Sequence, residues 1–408
     1  MRTLAPSDHV VVVGAGFAGW RFAEALRREG FEGVISLLGD EPYAPYDRPP
    51  LSKHVLSGKW DVDKTTLATP ELVARYDVNL HLGVRVEGLD VATTTVHLAD
   101  GVQLAGTHVV IATGVRARRL GFSAGDHLAV LRSRDDAFRL IRIVDALDPD
   151  SEVAIIGGGF IGAEVATSLR ARGLRPIVLE ALERPLIGVL GPDVSSWIAD
   201  LASHATIELR TNQRITDVRY DDPMFTILFD NDSFMIVSAV IVAAGAIPNV
   251  EWLVTSGLTI DNGVVVDERM MATDRVAAIG DVARFNWRSV VGDELVRIEH
   301  WQVANDHANV LAHYWMQGEV ASGPIIPYFW SDQYGAKIQM LGHPHPGDDV
   351  IRVGGSVEER KWVAIYSSNG IVNGVVALGQ PRALMLSKGL LEEPTSLEEA
   401  LRRAPWAR

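Results

Sequence analysis

Two stretches of the chain repeat one order of apolar and polar positions. A β-branched run leads into a glycine cluster, then apolar residues at helical spacing, then a second short apolar run. The first stretch opens at Val10-Val-Val-Val13, turns through Gly14-Ala-Gly-Phe-Ala-Gly19, continues as a helix over 20–29 and ends in a strand at Val34–Leu38. The second opens at Val153-Ala-Ile-Ile156, turns through Gly157-Gly-Gly-Phe-Ile-Gly162, continues as a helix over 163–172 and ends in a strand over 176–179. Each pattern predicts a βαβ unit, whose strands are parallel because a helix must carry the chain back. The two lie about one domain's length (~100–150 residues) apart, so the pattern predicts two doubly wound α/β domains.

Other apolar runs fill in the frame. Thr107-His-Val-Val-Ile-Ala-Thr-Gly114 predicts a buried strand ending in a glycine turn, and Ala239-Val-Ile-Val-Ala-Ala-Gly245 nearly copies it in the second half. Residues 145–151 read as the turn before the second glycine strand. From about Ile325 the texture changes to strand-like alternation at 337–341, 350–353, 362–367 and 374–378, followed by a short helix over 381–391. That predicts a smaller α+β domain. A chain of 408 residues exceeds one ordinary core, which agrees with this division.

Composition narrows the function classes. No apolar run reaches the ~18 residues of a membrane helix, and residues 1–9 carry neither a signal core nor a transit-peptide character. A cytoplasmic setting with no membrane partner is expected. The formal charge of -14 disfavours nucleic acid, and any contact with an acidic partner needs a local basic patch. The chain has no cysteine, which excludes disulfides, thiolate metal sites and cysteine nucleophiles.

The glycine clusters carry the first chemistry. A dinucleotide pyrophosphate needs backbone N–H groups at a helix start with no side chains in the way. The first glycine makes the tight turn, the second admits the phosphates and the third lets helix pack on strand. Gly14, Gly16 and Gly19 fill these places in one loop, and Gly157, Gly159 and Gly162 in the other. Each second strand should end in an acid that accepts hydrogen bonds from a ribose, ~20 residues on; Asp40 and Glu180 stand close to that register. A carboxylate at Glu180 would repel a 2′-phosphate, so NADH is expected over NADPH. Arg184, four residues later, reads as surface charge.

Further motifs carry a resemblance. The segment Pro45-Tyr-Asp-Arg-Pro-Pro-Leu-Ser-Lys53 stands with the Ala112-Thr-Gly114 turn, Leu131-Arg132 and Ala278-Ile-Gly-Asp281, and with Arg297-Ile-Glu-His-Trp301 and Phe329-Trp-Ser-Asp-Gln333. In that order and spacing they resemble the FAD-dependent pyridine nucleotide oxidoreductases. Within these, the chain is similar to the ferredoxin reductases that serve Rieske dioxygenases and bacterial cytochromes P450. The resemblance covers nearly the whole chain and implies a glutathione-reductase-like fold. It implies a discontinuous FAD-binding domain over 1–116 and 247–321, an NADH-binding domain over 117–246 and a C-terminal α+β domain over 322–408.

By the same resemblance Arg48 and Lys53 approach the flavin, with Lys53 near N5 and paired to Glu164. Asp281 resembles the aspartate on the ribityl chain, and Arg118 and Arg132 resemble arginines lining the FAD site. Glu299 and His300 resemble the pair beside nicotinamide and flavin, Trp330 the aromatic packed on the cofactors, and Gly245 joins the NADH loop. The residue types suit these roles: arginine donors for an anionic pyrophosphate, an acceptor-only aspartate for sugar hydroxyls, and a flat indole that excludes water. Family members often carry arginine where this chain has Gly188, on the adenosine side of NAD.

The implied activity is that of a ferredoxin–NAD(+) reductase. NADH gives a hydride to flavin N5, and the electrons leave singly to a small acidic 2Fe–2S ferredoxin feeding a P450 or Rieske oxygenase. The disulfide reductases, thioredoxin reductases and NADH peroxidases of this fold depend on a redox cysteine, which this chain lacks. A rubredoxin reductase, an NADH oxidase, or a redox-gated interaction flavoprotein resembling apoptosis-inducing factor remain as alternatives. Basic and acidic residues balance from Ser322 onward. With Arg284, Arg288 and Arg297 that region is expected to offer a basic patch to an acidic ferredoxin.

Overall fold

The computed structural model describes residues 3–320 and 323–407. The expected boundary at 321 and 322, like the chain ends at 1, 2 and 408, lies outside the described residues. The chain forms two compact units. The first comprises Met1–Asp47, Thr66–Arg116 and Ile247–Phe329, and the second Arg48–Thr65, Ala117–Ala246 and Trp330–Arg408.

The first unit is built on a five-stranded sheet in the order Val276–Ala278, His108–Ile111, His9–Val13, Val34–Leu38, Asn79–His81. All its pairings are parallel. Val10, Val11, Val12 and Val13 are buried, as expected of a central parallel strand covered on both faces. Helix Phe17–Arg28 turns Trp20, Phe22, Ala23 and Leu26 inward and packs against helix Trp301–Gln317. Phe22 meets Trp315 edge-on at 5.5 Å. The first glycine loop thus leaves the carboxyl end of the sheet's middle strand, where open α/β sheets hold ligands. Two further three-stranded sheets belong to the unit: an antiparallel one of Val86–Asp90, Thr95–Leu98 and Gln103–Ala105, and a mixed one of Val264–Val266, Ala283–Ser289 and Gly292–Val296.

The second unit contains a four-stranded parallel sheet ordered Glu208–Arg210, Arg175–Leu179, Glu152–Ile156, Ala239–Val242. The second glycine loop again follows an inner strand and opens helix Phe160–Ala171. A five-stranded antiparallel sheet follows, ordered Tyr328–Gln333, Ala336–Gly342, Ile371–Leu378, Lys361–Ser368, Asp349–Ser356. The α/β class, with two parallel-sheet regions and a C-terminal sheet, is that read from the sequence.

The helix expected over 381–391 is shorter. It runs Pro381–Leu386 and gives way to a 3-10 turn at Lys388–Leu390. Ser387 Oγ donates back to Ala383 O at 2.8 Å, and a hydroxyl bonded to its own backbone, followed by Gly389, favours termination over another α-turn. Helix Ile187–His204 breaks at Gly191, with φ +71°, just before Pro192. The carbonyl of Leu190 at that break accepts from the buried Tyr366 hydroxyl at 2.7 Å.

Candidate functional site

The two glycine turns have the same construction. Gly14 has φ +115° and Gly157 +112°; a Cβ would lie 2.2 Å from Ala112 O in the first and 2.5 Å from Ala243 O in the second. At Gly19 and Gly162 a Cβ would lie 2.2 Å and 2.0 Å from the carbonyl oxygens of Gly14 and Gly157. These four glycines are therefore required by close backbone approach. Gly16 and Gly159 differ: a Cβ on either meets nothing within 4 Å. Each is the N-cap of its helix, with no side-chain cap and no acid in the first turn. Open space before uncapped N–H groups at a helix's positive end fits a pyrophosphate.

The acids at the strand ends behave differently. Glu180 Oε2 accepts from the Gly158 N–H at 2.8 Å and Oε1 from the Leu182 N–H at 2.9 Å, so its carboxylate sits against the second loop. Asp40 is exposed, one residue beyond Gly39, which lies against Ala15 of the first loop. Arg184 donates to Pro192 O at 3.3 Å, a surface contact as expected.

Within the first unit, several expected residues gather around the first helix. Asp281 lies in the 3-10 turn Gly280–Val282, and a Cβ on Gly280 would lie 2.8 Å from Ala18 Cβ in that helix's first turn. His300 caps helix Trp301–Gln317, its ring 4.9 Å from Phe329. Glu299 is exposed and paired with Arg297 at 2.6 Å, and Arg297 also donates to Asp281 O at 3.1 Å. Trp301 lies tilted against Phe17, next to Gly16, with ring centroids 4.3 Å apart, and its Nε1–H donates to Asp47 at 3.0 Å.

Within the second unit, Lys53 and Glu164 form an ion pair at 2.8 Å with both side chains largely buried. Lys53 Nζ also donates to Pro49 O at 3.2 Å. Two of its three N–H donors are thus engaged among the described residues, leaving one for a ligand. Glu164 accepts in addition from Ser52 Oγ and Ser331 Oγ, each at 2.6 Å. Arg48 donates to Arg132 O at 2.8 Å, and Arg118, exposed, gives its backbone N–H to Gly245 O at 2.9 Å. Trp330 is half-buried in strand Tyr328–Gln333.

Four residues of these clusters were not singled out from the sequence: Ser52, Ser331, Trp301 and His307. Ser52 and Ser331 lie within motifs quoted above, and Trp301 ends one. His307 lies two helical turns beyond His300 on one helix face, a spacing visible in the chain. It is fully buried, and its Nδ1 accepts the Gly280 N–H at 3.2 Å. Desolvation pushes its pKa down to about 3, so the ring is neutral and its proton sits on Nε2.

The three arginines expected to furnish a basic patch are each paired with an acid: Arg284 with Asp261, Arg288 with Glu268 at 3.4 Å, and Arg297 with Glu299. They supply no uncompensated charge, because each lies beside a carboxylate of its own unit.

Two uncapped glycine cradles at the ends of parallel strands fit a protein that holds two dinucleotides. The chain belongs to the pyridine nucleotide-disulphide oxidoreductase family, whose model matches residues 8–308, and a reductase C-terminal model matches residues 328–405. It is 33% identical to rhodocoxin reductase of Rhodococcus erythropolis, over 96% of this chain and 91% of the relative. It is likewise 33% identical to putidaredoxin reductase of Pseudomonas putida, over 97% of this chain and 94% of the relative. Among solved structures it resembles the covalent putidaredoxin reductase–putidaredoxin complex, with a TM-score of 0.91 at 30% identity over 99% of this chain and 100% of that one. It also resembles the ferredoxin reductase for the CYP199A2 system of Rhodopseudomonas palustris, with a TM-score of 0.89 at 30% identity over 98% of this chain and 100% of that one. Family membership was the expectation drawn from the motifs. The family's disulphide chemistry does not extend to a chain without cysteine.

Proposed function

We propose that the chain is an NADH-dependent FAD flavoprotein, a ferredoxin–NAD(+) reductase that passes electrons to a small acidic 2Fe–2S ferredoxin serving a P450 or Rieske oxygenase. The observation that carries this reading is the pair of open glycine cradles in a chain lacking a cysteine to take the electrons internally. The named relatives serve such ferredoxin-dependent systems, which supports the same partner class. FAD bound at the first cradle would supply the conversion of a hydride's electron pair into two single electrons, which an iron–sulfur acceptor requires.

The protein's own residues bind and orient. Gly14, Gly16 and Gly19 present N–H groups to the FAD pyrophosphate, Asp40 and Asp281 accept from its sugar and ribityl hydroxyls, and Arg48, Arg118 and Arg132 offset its charge. Gly157, Gly159, Gly162 and Gly245 receive NADH, and Glu180, already held by two loop N–H groups, excludes a 2′-phosphate. Lys53, paired with Glu164, directs its remaining N–H toward flavin N5. Glu299 and His300 border the nicotinamide, and Trp330 shields the reacting faces from water. In this reading FAD takes residues 1–116 and 247–321, NADH takes 117–246, and the C-terminal domain runs from 322. No helix among the described residues is long and apolar enough to cross a membrane, and a cytoplasmic location is part of this proposal.

The test is one purification followed by anaerobic titration. The preparation should be yellow, bleach rapidly with NADH and slowly with NADPH, and reduce cytochrome c much faster once a 2Fe–2S ferredoxin is added. Oxygen uptake that matches NADH consumption and ignores ferredoxin would make it an oxidase and sink the proposal.

A further inference from the structure

The buried carboxylate of Glu164 shows how one domain sets the charge presented by another segment. Glu164 is 2% exposed, and a carboxylate so buried must have its oxygens met by donors. Oε2 accepts from Lys53 Nζ at 2.8 Å and Ser52 Oγ at 2.6 Å, two neighbours on one short segment. Oε1 accepts from Ser331 Oγ at 2.6 Å and, among the described residues, from nothing else. Ser331 is itself fully buried. It lies in strand Tyr328–Gln333 beside Trp330, and successive side chains of a strand point to opposite faces.

The strand is anchored to the same helix a second time. The Tyr334 N–H donates to Thr167 Oγ1 at 2.8 Å, one turn on from Glu164. Ser168 Oγ, on the same helix, donates to Ser52 O at 2.6 Å, fixing the segment that carries Lys53. Three pieces of chain thus converge on one carboxylate. The terminal torsion of a glutamate is broad and two-fold, so a carboxylate held through one oxygen alone rotates more easily than one held through both. The bond from Ser331 to the second oxygen restricts that rotation further.

We infer that Ser331 is a positioning residue for Lys53: by holding Oε1 it locks the plane of the Glu164 carboxylate, and through it the direction of the lysine ammonium. The inference rests on the reading of Lys53 as the cation beside flavin N5. It assigns the C-terminal segment a part in tuning the flavin, acting through Glu164 without touching the cofactor.

The experiment compares Ser331→Ala, Ser331→Cys and Ser331→Thr with Glu164→Gln in the FAD-loaded protein. It reads the flavin midpoint potential, kcat and KM for NADH, and the melting temperature. Ala, and Cys with its weak S–H donor, should lower the potential by about 30 mV, the two-electron equivalent of a tenfold change. They should lower kcat about tenfold, the size expected for a lost hydrogen bond to a charged group, with KM less affected. Thr keeps the hydroxyl and should restore both to near the parent values. If Ala fails to fold, the near-isosteric Cys carries the comparison. If Glu164→Gln shifts the potential while neither Ala nor Cys does, the assignment to Ser331 is overturned. If Glu164→Gln, and Lys53→Met measured beside it, also leave the potential unchanged, the placement of Lys53 at the flavin is wrong instead.

Discussion

The two glycine loops share a backbone construction and differ in what their helices carry one turn later. Counting from the first glycine, Arg21 in one helix occupies the place of Glu164 in the other. Arg21 is partly exposed and pairs with Glu24 at 2.6 Å on its own helix. Glu164 is buried and binds Lys53, Ser52 and Ser331 from distant segments. The acids at the strand ends differ too, since Glu180 is bonded into its loop while Asp40 is exposed. The shared part is what any pyrophosphate demands of a backbone. The differing part is particular to each loop, and it is the second helix that supplies the anchor for Lys53.

The largest expected effect tests the shared part. Gly14→Ala and Gly157→Ala each drive a Cβ into a carbonyl oxygen at 2.2 Å and 2.5 Å in backbone conformations suited to glycine. Backbone must move in both, at a cost of about 1–3 kcal/mol or more. The outcomes should separate. Gly14→Ala should purify without flavin colour, whereas Gly157→Ala should stay yellow and fail to bleach with NADH. Visible absorbance before and after anaerobic NADH decides it, and a colourless Gly157→Ala protein would reverse the assignment of the loops.

A smaller effect concerns the support behind the first loop. His307 holds the Gly280 N–H, and burial lowers its pKa from 6.5 to about 3. Above pH 6.5 the imidazole is neutral in both folded and unfolded chains. As pH falls below 6.5 the unfolded chain takes up a proton that the folded one refuses, so stability is lost progressively down to about pH 3. His307→Gln retains an acceptor without titrating and should flatten this part of the profile. Urea unfolding at several pH values within that window measures it, and equal slopes for both proteins would show that the ring is protonated without penalty.

Much of this arrangement was legible in the chain, for reasons of geometry. Parallel strands buried on both faces read as unbroken apolar runs, and glycines forced by a carbonyl 2–3 Å away mark their turns unambiguously. The lysine–glutamate pair was legible only through the resemblance, since nothing local links Lys53 to Glu164. Ser331 and Ser52 were not legible, because a serine's role depends on the acceptor that tertiary packing brings to it. The pairing of Arg284, Arg288 and Arg297 was hidden for the same reason. The chain shows the cations, and only folding shows Asp261, Glu268 and Glu299 beside them. The helix over 381–391 was overextended because Ser387's back-bond to Ala383 is invisible to apolar periodicity.

The smallest expected effect sharpens the comparison at the second loop alone. Gly188 is exposed near the start of helix Ile187–His204, and a Cβ there meets nothing within 4 Å. Replacing a helical glycine by another residue gains about 0.5–1 kcal/mol of backbone entropy. An arginine adds a cation on the side proposed for the NAD adenosine, worth up to about 1 kcal/mol when exposed and screened by salt. Gly188→Arg should therefore tighten NADH a few-fold at low ionic strength, leaving flavin retention unchanged. Gly188→Ala should raise the melting temperature alone. If alanine tightened NADH as much as arginine, helix stiffness would be responsible and the added charge irrelevant. If the arginine variant gained no affinity at any salt concentration, the adenosine side of the site would lie elsewhere than the start of this helix.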